Sequence, residues 1–165
     1  MTRWAKALTA AVAAMALTAS NARAQNANIQ ALANVFAAIT VTAGNDLDFG
    51  NVFPGVPKTV ATSDASAGTF SATGQASVPI NLTFTLPADL ASGGNNLPIN
   101  AWTGCHDVDN THAGCTAFVP SGAPTAAAFG AGGQIFLWIG ATVTPAGNQA
   151  AGAYAATITL QIDYF

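Results

Sequence analysis

Glutamate does not occur in this chain, and basic residues are scarce: Arg3, Lys6, Arg23 and Lys58 are the only ones. Three of those four lie in the first 24 residues, so the rest of the chain carries seven Asp against one Lys. That balance excludes nucleic acid as the partner, because phosphate neutralisation needs clustered Lys and Arg. It also argues against an enzyme. Both histidines fall in one polar loop, and a Ser-His-Asp or Cys-His arrangement there would need help from distant strands. Asp46 and Asp48 read as turn caps, and "GAGG" (130–133) lacks the following helix that a phosphate cradle requires. No catalytic residue, metal, cofactor or small-molecule substrate is therefore expected. Trp102 and Trp138 read as core residues.

Long hydrophobic runs are missing as well. "ALTAAVAAMALTAS" is too short and too rich in alanine to span a bilayer. Preceded by Arg3 and Lys6 and followed by the small residues of "ARA" (22–24), it has the layout of an export signal cleaved before Gln25. Residues 1–24 are then a signal peptide, and 25–165 form one domain with an N-terminal arm at about 25–36. A chain of this length buries roughly two-thirds of its unfolded surface, and 51% apolar residues with 7% charged ones argue against disorder.

What is abundant is alternation. In "VPINLTFTL", Val78, Ile80, Leu82, Phe84 and Leu86 are apolar and the residues between them are not, the period-two mark of a strand with one buried face. "QIFLWIGATVT" (134–144) places Ile135, Leu137, Ile139, Ala141 and Val143 on one face and Phe136 and Trp138 on the other, as in a strand covered on both sides. Shorter strands are expected at 38–43, 47–53, 57–62, 68–73, 97–103 and 116–120. "ASGGNN", "SGAP", "GAGG" and "PAGNQAAG" supply turn chemistry between them. Short strands at this spacing indicate an all-β antiparallel sandwich.

The last fourteen residues, "GAYAATITLQIDYF", run a strand pattern into the terminal carboxylate. Tyr154, Ala156, Ile158, Leu160, Ile162 and Tyr164 share one face; Thr157, Thr159, Gln161 and Asp163 share the other. Chain ends ordinarily fray. At the opposite end, "NIQALANVFAAITV" is apolar at Ile29, Ala31, Ala33, Val35, Ala37, Ile39 and Val41. Two terminal apolar strands invite pairing between chains, since a sheet edge is a template for strand addition.

Gly152, fourteen residues from the end, and the penultimate Tyr164 resemble the C-terminal signature of chaperone-usher pilus subunits. The succession "LDFGNV", "LPADL" and "LWIGATVTPAGNQAAGAYAATITLQIDYF" is similar to the spore-coat-protein-U type and to a neighbouring pilin-like family of secreted bacterial domains. The resemblance implies an immunoglobulin-like sandwich lacking its final strand, with an apolar groove beside the C-terminal strand. A periplasmic chaperone would fill that groove and anchor the carboxylate at Phe165. At the outer-membrane usher, the N-terminal arm of a like subunit would then replace the chaperone. Gly152, Tyr154, Ile158, Leu160, Ile162 and Tyr164 would line the groove, and Ile29, Ala31, Ala33 and Val35 would supply the donor strand. The function implied is that of a structural subunit of a surface fibre, exported through the periplasm. The alternative is a non-polymerising secreted β-sandwich that serves as a binding module of the cell envelope.

"CHDVDNTHAGC" (105–115) holds both cysteines, both histidines and two of the seven Asp. Cys105, His106, His112 and Cys115 match no standard zinc spacing, and Asp107 with Asp109 lacks the glycine and distal acid of a calcium loop. In an exported chain the simpler reading is one disulfide, Cys105–Cys115, closing a polar loop.

Overall fold

The computed structural model describes residues 25–165; the proposed signal peptide, 1–24, lies outside them. The folded unit is Val35–Phe165. Residues 25–34 form no strand.

Ten strands follow in order: β1 Thr40–Ala43, β2 Lys58–Val60, β3 Gly68–Thr73, β4 Pro79–Thr85, β5 Asp89–Ser92, β6 Asn95–Asp107, β7 Thr116–Phe118, β8 Thr125–Ala128, β9 Gln134–Val143 and β10 Thr159–Tyr164. All pairings are antiparallel, and the described residues contain no helix. One sheet runs β1-β3-β9-β6-β5, with β2 also on β9 and β7 also on β6; the other is only three strands wide, β10-β4-β8. The expected all-β antiparallel sandwich is what the chain forms.

β9 holds the larger sheet together. One of its edges pairs first with β3, from Thr73↔Gln134 to Gly68↔Ile139, and then with β2, from Val60↔Ala141 to Lys58↔Val143. Its other edge pairs with β6, with a register shift between Asn100 and Thr103. Gly140 lies where these partners change. A Cβ there would strike the Val60 carbonyl oxygen, so glycine is the residue that lets the backbones approach. Ile135, Leu137 and Ile139 are completely buried and meet Ile80, Leu82 and Phe84 of β4 and Leu160 and Ile162 of β10 between the sheets. A second cluster of Phe49, Val60, Ala67, Leu97, Ile99, Ala141 and Val143 fills the region beyond the short sheet, and Trp102 packs against both clusters. The alternation read in β4 and β9 is thus the alternation of core and surface.

Two expected strands differ. Residues 47–53 form a loop, because the Asp48 carboxylate accepts the Gly50 N–H at 2.7 Å and Gly50 turns with φ 55°. This local side-chain bond competes with strand pairing. Its apolar face survives as Phe49, a buried plug. The C-terminal pattern begins as a strand only at Thr159; upstream, Ala155 makes a single bridge to Ala91. Two strands are additional. β5 and β6 form a hairpin around Gly93 and Gly94, both at positive φ (52° and 85°), the requirement of a tight turn matched to sheet twist. β8, "TAAA", has no alternation to read and is placed by its pairing with β4.

Leu137 makes the core dependence measurable. Leu137→Ala should lower the unfolding free energy by about 2–5 kcal/mol, read as a lower urea midpoint with an unchanged m value.

Candidate functional site

β10 pairs with β4 alone, from Thr159↔Thr85 to Tyr164↔Ile80, and therefore ends its sheet with an open edge. The segment leading into it, Gln149–Ile158, faces Asn45–Pro54 across a cleft of about 980 Å³. Phe70, Leu90, Leu97, Ile99 and Ile139 are also among its lining residues. The cleft exists because the short sheet does not reach across the larger one. Residues 149–158 cross from the β5 edge, where Ala91 and Ala155 exchange backbone bonds at 3.0 and 3.1 Å, to the start of β10. Gln149 sets their path: its side-chain amide donates to the Asn96 carbonyl at 3.0 Å and to the Tyr154 hydroxyl at 2.8 Å. That hydroxyl in turn donates to the Ala150 carbonyl at 2.8 Å.

The residues singled out in the sequence divide between three environments. Gly152, Tyr154 and Ile158 line the cleft. A Cβ on Gly152 would lie 2.6 Å from Ser92 Oγ, so the missing side chain admits the β5 end. Leu160 and Ile162, 8% and 7% exposed, point into the core between the sheets. Tyr164 is half-buried, with its hydroxyl bonded to Gln75 and Ala37, and Phe165 is exposed. Ile29, Ala31, Ala33 and Val35 are all exposed and outside any strand. Phe49, Phe53, Leu90 and Gln149 were not foreseen at the cleft. "LDFGNVF" carries a strand pattern and "PAGNQAAG" turn chemistry, and nothing in either stretch announces that the two face each other.

The second candidate is the polar loop between β6 and β7. Cys105 and Cys115 form the expected disulfide, with Cα atoms 5.7 Å apart, inside the usual range. His112 lies beside it, held through Nε2 to Thr62 Oγ1 at 3.0 Å and edge-on to Trp138 at 5.5 Å. Cys105, His112 and Cys115 bring potential metal-ligand atoms within 4.8 Å of one another. Both sulfurs are committed to the bridge, however, which leaves one imidazole as donor. Asp107 turns the loop by accepting the Asp109 N–H at 3.0 Å. His106 is half-buried against Phe118, ring centroids 5.7 Å apart. Burial disfavours its charged form and lowers its pKa, with Asp107 opposing the shift.

A family model described as a domain of unknown function, DUF4402, matches residues 39–164. The chain belongs to the DUF4402 family. In this DUF4402 domain the matched region contains all ten strands, the disulfide loop and both walls of the cleft. No curated protein matches the chain. The disulfide is of the kind that persists in oxidising compartments, and among the described residues no helix is long and apolar enough to cross a membrane.

Two outcomes are expected of the loop. Thiol alkylation of the unfolded protein without reductant should label neither cysteine, and Cys105→Ala with Cys115→Ala should cost about 2.5–3 kcal/mol of stability in the chain-entropy account, read by urea unfolding. Acidification should also weaken the fold. The lowered pKa of His106 means that the unfolded chain binds more protons once pH falls through the ordinary histidine value of about 6.5. Stability contributed by the neutral ring is present above that value and is lost as pH falls toward the lower folded-state pKa. His106→Gln should flatten this part of the stability profile, and an unchanged slope would assign it to other groups.

Proposed function

We propose that this DUF4402 protein is a structural subunit of a bacterial surface fibre, exported through the periplasm and assembled by donor-strand exchange. The observation that carries the reading is the open edge of β10 leading from an apolar cleft, in a chain whose N-terminal segment is apolar and uncovered. A strand seated along β10 would satisfy backbone groups at that edge and place side chains over the cleft. Ile29 is 97% exposed and Val35 89% exposed. Burying each such side chain contributes about 1.5–3 kcal/mol, which favours occupation of the groove by the arm of a like subunit. A chaperone strand would hold the same edge before assembly, as the resemblance to chaperone-usher pilins implies, and an outer-membrane usher would be the place of exchange.

The second reading, a monomeric binding module of the cell envelope, draws on the size of the cleft, which falls in the range of small-ligand sites. Asp46 and Asp48 stand on one wall of the cleft, whereas Phe53, Phe70, Leu90 and Ile158 supply apolar contacts suited to the side chains of an inserted strand.

Because Leu160 and Ile162 are core residues, an Asp at either would unfold a monomer and a fibre subunit alike. Phe53 discriminates better: it lines the cleft yet is 68% exposed. Phe53→Asp and deletion of residues 25–35 should each leave a folded domain by circular dichroism. Each should also abolish filaments in negative-stain micrographs of sheared surface material. Filaments as long as those of the unaltered protein in both variants would refute the donor-strand role and favour the binding module.

A further inference from the structure

The hydroxyl of Tyr164 joins three stretches of chain that are far apart in sequence. It accepts the Gln75 N–H at 2.6 Å and donates to the Ala37 carbonyl at 2.7 Å. The Gln75 side-chain carbonyl returns to Ala37, accepting its N–H at 3.3 Å. Both backbone groups of Ala37 are therefore engaged by a two-residue clasp, although Ala37 belongs to no strand. The tyrosine ring is itself held between Phe129, at 6.1 Å, and Phe36, at 5.3 Å, both edge-on. Gly74 keeps the space open, since a Cβ there would strike Phe129 and lie 2.6 Å from the Tyr164 hydroxyl.

The next anchor along the chain is different in kind. Ile39 packs against the core, and Thr40 begins the ladder to β3 with Thr40↔Thr73. Among the described residues, the clasp and the Phe36–Tyr164 ring contact are what hold 36–38. Neutral, partly exposed hydrogen bonds of this sort contribute little each, and segments held by so few contacts open without unfolding the sheets around them.

We propose that Tyr164 is a latch that sets where the N-terminal arm begins. Closed, it anchors the chain from Phe36; open, the chain is anchored from Ile39. The three residues released extend the free arm by about 10 Å. Tyr164 is also the last paired residue of β10, opposite Ile80, so the latch sits on the strand whose open edge would receive a partner. If the chain is a fibre subunit, the latch regulates how far the donor segment reaches. That consequence rests on the fibre reading, whereas the latch itself does not.

Site-resolved hydrogen exchange on the full chain tests the latch. In Tyr164→Phe the amides of Ala37 and Gln75 should exchange at least tenfold faster, while those of Ile135, Leu137 and Ile139 keep their protection. Gln75→Ala removes only the side-chain acceptor. It should expose the Ala37 amide and leave the Gln75 amide protected by the tyrosine. Unchanged exchange at Ala37 and Gln75 in Tyr164→Phe would overturn the proposal, as would a uniform rise across all strands, because the hydroxyl would then serve global stability alone. Filament growth is read separately: if the two amides open as expected but growth is unaltered, the latch stands and the fibre reading loses its regulatory step.

Discussion

Keeping β9 dry is the constraint around which the rest of the molecule is arranged. Its backbone is satisfied on both edges, by β3 and β2 on one and β6 on the other, and its inward side chains are fully buried. A strand of ten residues needs a cover of similar length. The second sheet, three strands wide, covers only the part facing Ile135, Leu137 and Ile139. The remainder, around Ala141 and Val143, is covered by Phe49 from a loop, with Leu97 and Ile99 of the neighbouring β6 packed beside it. The cleft is the gap left where that improvised cover meets the segment entering β10.

Scarcity of charge shapes how the surface segments are held. The lone lysine of the folded unit donates to the Asn51 carbonyl at 3.1 Å, so neutral side chains take the work that ion pairs often share. Gln149 fixes the cleft wall, Tyr164 and Gln75 fix the root of the arm, and Thr62 holds His112 beside the disulfide. Among the described residues, no buried side-chain polar atom lacks a partner, as expected where each unmade bond would cost more than a made one returns. Such neutral bonds are little affected by salt and individually weak. The segments they hold lie outside β9.

The two ends of the chain illustrate the same division. β10 is secured by its ladder to β4 and by Leu160 and Ile162 in the core. The arm has no ladder before Thr40. Ile29, Leu32 and Val35 are exposed, and a period-two pattern stabilises a strand only when a second edge is present to pair with it.

The sequence by itself determined the fold class, the strand cores and the disulfide. Alternation in 78–86 and 134–144 reports directly which face is buried, and two cysteines flanking one polar loop have a single intramolecular pairing available. Where local chemistry competed with pattern, as when Asp48 bonded its own backbone at Gly50, alternation overstated the strand. Where side chains were uniform, as in "TAAA" of β8, there was no period to read. The site was legible only in part: Gly152, Tyr154 and Ile158 reached the cleft, but their partners at 45–54 lie about a hundred residues away, and no local signal encodes such a juxtaposition. The position of Tyr164 against Gln75 and Ala37 was equally beyond local reading. Tertiary structure decided these features, because they depend on how unequal sheets close over one another, a property of the whole set of pairings and of no single segment.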